Sequence, residues 1–540
     1  MKEDVSTHKL GGKAAWYALT LIGLCQAMSM VDRQILAILM PRIKADLNIG
    51  DAEMGLLYGT VFALFYAVFS LPLGRLADGW IRTKLLGFSI IGWSVMTALG
   101  GLANGFGLLA ISRLGVGVGE ASVQPAGMSI ATDMFPKKQR GTITAIIAAS
   151  IAFGLGAALA VGGAVADAWD GAFPPGSEPL GFKGWQVAFL VASLPGFILG
   201  YLMLRMQEPR RGLADGIDHH DDPHPFRESW LTLASILPGL VWATMARLRA
   251  RGRDWLVNIG GLAVIVLISL GMVHWTNGMR ETNPVALAVG GFEFGGNELQ
   301  WMVIGFGSYV ILCWMQSLKL RDKPSFELIV KTPSMIMVII IVALQTIINY
   351  GVMAWTATHL IQAFGQKPAE VGIMFGPMIA AIGMIGPLIA GPVSDWANNR
   401  FKSGRLYVTF ASLAVSLPLA IITFNTTSVG MFYLSFACYG LILTMWLPPF
   451  YATLMDLVLP RMRGTVMSYY ILTMTIFGLG LGPYVIGLMS DINGGDLAAA
   501  ILNLYWISPF LIALTAFLIR RLPKDESTLL DRARAVGEKV

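Results

Sequence analysis

Four ionisable residues stand inside long apolar runs of this 540-residue chain. Asp32 and Arg33 lie in "MSMVDRQILAIL" (28–39), and Arg113 and Glu120 in "RLGVGVGEA" (113–121). At the centre of a membrane helix each such charge costs about 2.5–3.5 kcal/mol on insertion scales, so intramembrane ionisable groups are functional candidates. Arg113 and Glu120 are seven positions apart and share one helical face. Asp32 and Arg33 point about 100° apart, so they cannot both face one partner. The four charges sum to zero, and where their two helices are neighbours a division of Asp32 with Arg113, leaving Arg33 for a substrate or for Glu120, is open to them. Burial favours the protonated form of a carboxyl, and a neighbouring guanidinium favours the ionised form. A carboxyl that meets its arginine in one conformation and not in another therefore binds and releases a proton as the protein cycles. Asp32 and Glu120 are the expected proton-coupling groups, with Arg33 and Arg113 as switching partners. The competing reading is a set of ion pairs that only fixes helix register.

The elements that position these residues follow from composition. The chain is 55% hydrophobic and 13% charged, with mean hydropathy +0.64; a soluble domain carries about 25% charged residues. That excludes a soluble protein and defines a polytopic membrane protein. About twenty apolar residues cross the hydrocarbon core as a helix. Such segments occur near 14–40, 54–73, 84–104, 107–130, 141–166, 185–205, 256–275, 299–318, 334–362, 370–392, 405–424, 429–452, 463–489 and 497–519. The first is read as a retained span, since it is too long for a leader's apolar core and runs on through Asp32. With the N-terminus cytoplasmic, Lys and Arg concentrate on the cytoplasmic side, leaving Arg42, Lys44, Lys183, Arg280 and Lys367 outside. Counting 229–246 as a span would reverse basic loops such as "NNRFKSGR", so an interfacial helix is expected there, its Arg247, Arg249, Arg251 and Arg253 toward anionic headgroups. The net charge of +6 is then membrane-facing, and no nucleic-acid partner is expected. Cys25, Cys313 and Cys438 all lie in apolar runs, without a disulfide framework.

An internal repeat organises the spans. "DMFPKKQRG" (133–141) returns as "DLVLPRMRG" (456–464), 323 positions on, and "GRLAD" (74–78) returns as "GPVSD" (391–395), 317 on. The expected divisions are a cytoplasmic N-terminus (1–13), a first six-helix bundle (14–205) and a cytoplasmic and interfacial segment with an inserted transmembrane hairpin (206–333, hairpin 256–318). A second bundle (334–520) and a cytoplasmic tail (521–540) follow. Parallel halves of this kind build transporters that bind substrate near the midplane and rock to alternate access. By the repeat, Asp32 corresponds to Asn349, Arg33 to Tyr350 and Glu120 to Leu443. The charges occur in the first half only, which assigns ion handling there and substrate contact to the second. Gln345, Asn349, Tyr350, Trp355, Tyr439, Trp446 and Tyr451 are the candidate contacts, and "WLPP" (446–449) is expected to break its helix.

These motifs resemble the major facilitator superfamily over nearly the whole chain apart from about 210–325. "GRLADGWIRTK" is similar to that family's loop motif at Gly74, Leu76, Asp78, Arg82 and Lys84, departing at Gly79 and Ile81; "RLGVGVGEA" is similar to its fourth-helix motif. "VDRQILAILMPRIKADL" with "GVGEASVQPAGMSIATDMFP" looks most like bacterial spinster-type members. The resemblance implies an all-α fold of two six-helix halves, here with two extra central helices for fourteen spans. It implies first and fourth helices lining a central cavity, and a gating motif at Gly74, Asp78 and Arg82, with Asp395 as the repeat counterpart. In the fifth span Ala158-Leu159 stands where the family's antiporter motif has Gly-Pro, and Gly154, Gly162 and Gly163 read as close helix packing.

The resulting expectation is a secondary transporter, monomeric, in the inner membrane with both termini cytoplasmic. It moves a small organic or amphiphilic molecule, such as a lysolipid, coupled to protons. An organic-anion:proton symporter, with Arg33 on a carboxylate, and a non-transporting sensor on the same fold are the alternatives. No nucleotide-binding loop or hydrolase signature is present, so neither enzyme activity nor a cofactor is expected. "DHHDDPH" (218–224) lacks the spacing of a zinc site and reads as a solvated loop. His359 either packs or faces a cavity.

Overall fold

The computed structural model describes residues 10–136, 139–211, 223–280 and 283–538; Asp218 to Asp222 of the histidine-rich stretch lie outside them. Among the described residues fourteen helices are long and apolar enough to span a membrane. In chain order they are spans 1 (Lys13–Leu47), 2 (Asp51–Gly79), 3 (Arg82–Gly101), 4 (Phe106–Met134), 5 (Thr142–Ala172), 6 (Gly184–Arg205) and 7 (Gly252–Met279). Spans 8 (Gly296–Arg321), 9 (Pro333–Phe364), 10 (Pro368–Arg400), 11 (Gly404–Phe424), 12 (Val429–Asp456), 13 (Arg463–Ile492) and 14 (Leu497–Ser527) follow. In hydrocarbon every backbone polar group must be satisfied within the segment, which is why these apolar runs fold as helices. Spans alternate between the face where the chain starts and finishes, called here the terminal face, and the opposite face.

Two compact units can be distinguished. The first holds Met1–Leu47, Phe69–Leu233 and Gln366–Ala380. Within it spans 5 and 10 touch backbone to backbone. A Cβ on Gly156 would lie 2.8 Å from the Gly376 carbonyl oxygen, and one on Gly372 2.5 Å from that of Leu159. No larger side chain fits either position.

The second unit holds Asn48–Val68, Ala234–Gly365 and Ala381–Val540. In it the start of span 2 crosses span 13. Both helices loosen into π-turns there, Leu56–Thr60 and Met474–Leu479, and a Cβ on Gly55 would meet the Pro483 carbonyl at 2.4 Å. Thr60 donates to the oxygen of Gln300 in span 8 at 2.5 Å, and Gln300 donates to the Gly480 carbonyl at 3.0 Å. The inserted hairpin thus packs on this crossing through span 8, while span 7 is exposed along most of its length.

Two local features depart from the sequence expectation. The 229–246 stretch forms two short helices, Pro225–Ala234 and Leu240–Arg247, in place of one. Pro238 lacks an amide proton and Gly239 takes φ +81°, which ends the first helix and redirects the second. That second helix buries Val241 and Met245 against Tyr309 and Cys313 of span 8, and the Trp242 indole donates to Asn258 Oδ1 at 2.8 Å. The loop joining spans 7 and 8 carries a two-stranded antiparallel hairpin, Val285–Val289 with Phe292–Gly295. Gly290 and Gly291 at φ +58° and +84° make its two-residue turn.

Candidate functional site

The four charged residues meet within the first unit. Arg33 Nε donates to Glu120 Oε2 at 2.6 Å, and the Ser29 hydroxyl donates to the same oxygen at 2.8 Å. Asp32 turns toward span 3, where the Thr97 hydroxyl donates to its Oδ1 at 3.0 Å. Arg113 Nη1 donates to the backbone carbonyl of Asp32 at 2.8 Å. Arg113 thus sits against Asp32, as expected: its guanidinium hydrogen-bonds the main-chain oxygen and lies within electrostatic reach of the carboxylate. Asp32, Arg113 and Glu120 are buried, whereas the Arg33 side chain is 20% exposed. Asp32 Oδ2 and Glu120 Oε1 accept no hydrogen bond among the described residues. One turn nearer the terminal face, Gln26 Nε2 donates to Gln124 Oε1 at 3.0 Å and continues the polar seam between spans 1 and 4.

Glu120 sits at a discontinuity. Span 4 is two helices, Phe106–Glu120 and Val123–Met134, joined through Ala121 and Ser122. Span 12 breaks at the matching place, between Val429–Thr444 and Leu447–Asp456, through Met445 and Trp446. Pro125 and Pro448, 323 positions apart, open the following helix in each case, because proline suits a first helical turn and cannot continue the preceding one. The break expected at "WLPP" is present, and its twin carries the carboxylate.

In the second unit, Gln345 Nε2 donates to Asn349 Oδ1 at 3.3 Å. The ring of Tyr451 lies 4.9 Å from that of Tyr470, and Tyr350 is within electrostatic reach of Tyr470. Trp446 is buried, and its indole Nε1 has no acceptor among the described residues; the Thr473 hydroxyl is likewise unpartnered. Other aromatic candidates are committed to packing. Trp355 Nε1 donates to the Pro483 carbonyl at 2.8 Å, and Tyr439 shares a hydroxyl–hydroxyl contact with Tyr505. His359 packs among Phe364, Phe424 and Phe432.

At the terminal face Arg82 is buried and fully engaged. Its Nη1 donates to Asp133 Oδ2 at 2.5 Å and to the Ser129 hydroxyl at 2.7 Å, its Nε to Glu208 Oε1 at 2.7 Å and its Nη2 to the Pro209 carbonyl at 2.9 Å. Arg211 donates to the carbonyls of Asp78 and Trp80, so the segment after span 6 lies against the Gly74–Arg82 motif. In the second unit Arg405, 323 positions beyond Arg82, bonds Asp456 and reaches Asp395 at 3.3 Å. Arg405 was missed in the sequence, although the repeat offset points to it. A second missed cluster lies at the opposite face: Arg280 Nη1 donates to Glu53 Oε1 at 2.8 Å and its Nη2 to Asp491 Oδ2 at 3.0 Å. Its one signal was an arginine on the side where the charge rule disfavours it.

A fourteen-span helical bundle with repeat-related halves and a buried charge cluster is the architecture of a membrane transporter. The chain belongs to the Major Facilitator Superfamily, whose family model matches residues 22–483. It is 24% identical over 493 residues to an MFS-type efflux pump of Mycolicibacterium smegmatis, covering 91% of this chain and 88% of that protein. It is 21% identical over 484 residues to Protein spinster of Drosophila melanogaster, covering 89% of this chain and 62% of that protein. In three dimensions it is similar to a bacterial homologue of the human lysosomal transporter Spinster, solved inward-facing and unoccupied. The TM-score is 0.63 at 21% identity, over 97% of this chain and 96% of that one.

Proposed function

We propose that this protein is a proton-coupled secondary transporter of a small organic or amphiphilic molecule in a bacterial inner membrane, with its terminal face cytoplasmic. The observation that carries the reading is the buried pair of Glu120 with Arg33 beside Asp32, at a helix break in span 4. Glu120 and Asp32 each keep one carboxyl oxygen without a donor, the position a proton would occupy. When Arg33 leaves Glu120, the carboxyl loses its counter-charge in a buried place and takes up a proton; when Arg33 returns, the proton is released. Arg33, the partly exposed member of the cluster, is placed to hold an acidic group of the substrate, which favours anionic amphiphiles and also fits an organic-anion symporter. Asn349, Tyr350, Gln345 and Trp446 supply the uncharged contacts.

In this orientation the contacts of span 2 with span 13, within the second unit, and of span 5 with span 10, within the first, lie toward the outer ends of those spans. Alternating access then requires these glycine crossings to part. The test is reconstitution into liposomes with a panel of lysolipids and small organic acids, with and without an inward proton gradient. Accumulation of one substrate class only when the gradient is imposed supports the proposal. Gradient-independent equilibration of every substrate overturns the coupling.

A further inference from the structure

An apolar crevice of about 550 Å³ opens on the surface of the second unit, between spans 10, 11 and 12 in their halves toward the terminal face. Trp396, Phe401, Tyr407, Ala411, Val415 and Ile442 form most of its wall. The tight connection between spans 10 and 11 builds its rim. Gly404 lies so close to Ala397 that a Cβ there would sit 2.1 Å from the Ala397 oxygen, and Ser403 takes φ +58°. This turn sets the Phe401 and Tyr407 rings 6.0 Å apart, edge to face.

The charges beside these wall residues divide into two kinds. Arg405 is neutralised by Asp395 and Asp456. The Arg400 guanidinium instead stands over the Trp396 ring, 4.7 Å from its centroid, and Lys402 is exposed. Among the described residues neither Arg400 nor Lys402 meets a carboxylate. Two cations without counter-ions among the described residues therefore border an aromatic-walled apolar slot, Arg400 against its Trp396 and Lys402 next in the chain to its Phe401. A phosphodiester between the cations and an acyl chain in the slot would satisfy both features at once, whereas a free phosphate would satisfy only the first.

We propose that this crevice is a binding site for an anionic phospholipid, separate from the transport site. In the orientation given above its mouth opens to the cytoplasmic leaflet, where anionic headgroups are available. The direct test is native mass spectrometry of the detergent-purified full chain with phosphatidylglycerol or phosphatidylcholine of identical chains. The proposal expects phosphatidylglycerol to be retained in preference. Arg400→Gln with Lys402→Gln should weaken retention about fivefold per charge removed. Ala411→Trp, which fills the slot and keeps both cations, should weaken it as well. Equal retention of the two lipids, or wild-type retention in either variant at an unchanged elution volume, overturns the site. Glu120→Gln separates this proposal from the transport mechanism. Unchanged phosphatidylglycerol retention in that variant supports a distinct site, and a parallel loss would mean that the lipid occupies the transport pathway.

Discussion

Arg280 joins Glu53 to Asp491, so the loop between the two inserted spans holds the start of span 2 against the end of span 13. Glu53 is wholly buried and Arg280 nearly so. Removing one partner of such a pair leaves an uncompensated buried charge, a loss of about 3–5 kcal/mol. Here the loss falls on one side of a conformational equilibrium, because the cluster exists only while spans 2 and 13 touch. Arg280→Gln is expected to shift the protein toward an outward-open form. A cysteine placed at the buried Ser490, in a background lacking the native cysteines, should then react faster with an impermeant maleimide added outside. Adding Glu53→Gln should return the rate toward that of the parent. An unchanged rate in Arg280→Gln would show that the inserted hairpin has no part in closure.

The repeat-related arginines differ in what surrounds them. Arg82 is fully buried with four acceptors, whereas Arg405 faces Asp395 and Asp456, whose side chains are 66% and 46% exposed. Buried pairs cost about 3–5 kcal/mol to break and exposed ones about 0–1 kcal/mol. Arg82→Gln should therefore lower the thermal midpoint in detergent by several degrees, and Arg405→Gln by much less. Equal shifts would contradict this reading of the two clusters.

At the terminal face Arg461 donates to Asp322 at 2.7 Å and bonds Glu538, tying the C-terminal helix to the segment after span 8. Hydrogen bonds from Arg461 hold the Asp322 carboxyl at about 2 and Glu538 below its ordinary value. Both groups are held lower in the folded state than in the unfolded one. Their contribution is therefore complete above the ordinary carboxylate range and fades only as pH falls through that range toward about 2. Amide exchange over 528–538 should be independent of pH-driven undocking between pH 5 and 8, after correction for intrinsic rates. Asp322→Asn should accelerate it at pH 7; equal protection in that variant would refute the tie.

The spans, their number and the twofold repeat were legible because hydrocarbon tolerates only internally bonded helices, which leaves a strong compositional trace. Composition singled out Asp32, Arg33, Arg113 and Glu120 because buried charges need partners, but it was the family resemblance, with its first and fourth helices side by side, that implied they meet. The detailed contacts were not legible. That Arg113 also bonds the carbonyl of Asp32, and that Thr97, a residue with no charge to draw notice, donates to its carboxylate, depends on rotamers. The split of 229–246 at Pro238-Gly239 could have been read from the two breakers, but amphipathic character masked it. The Glu53–Arg280–Asp491 cluster joins residues more than 400 positions apart, and pattern alone carries no such information.

The central claim is that Glu120 trades Arg33 for a proton during the cycle, and Glu120→Gln in proteoliposomes tests it most directly. The variant keeps shape and hydrogen-bonding capacity and removes the charge. Proton-gradient-driven accumulation should be lost while exchange of labelled for unlabelled substrate continues. Accumulation that still follows the imposed gradient at the parental rate would contradict the account.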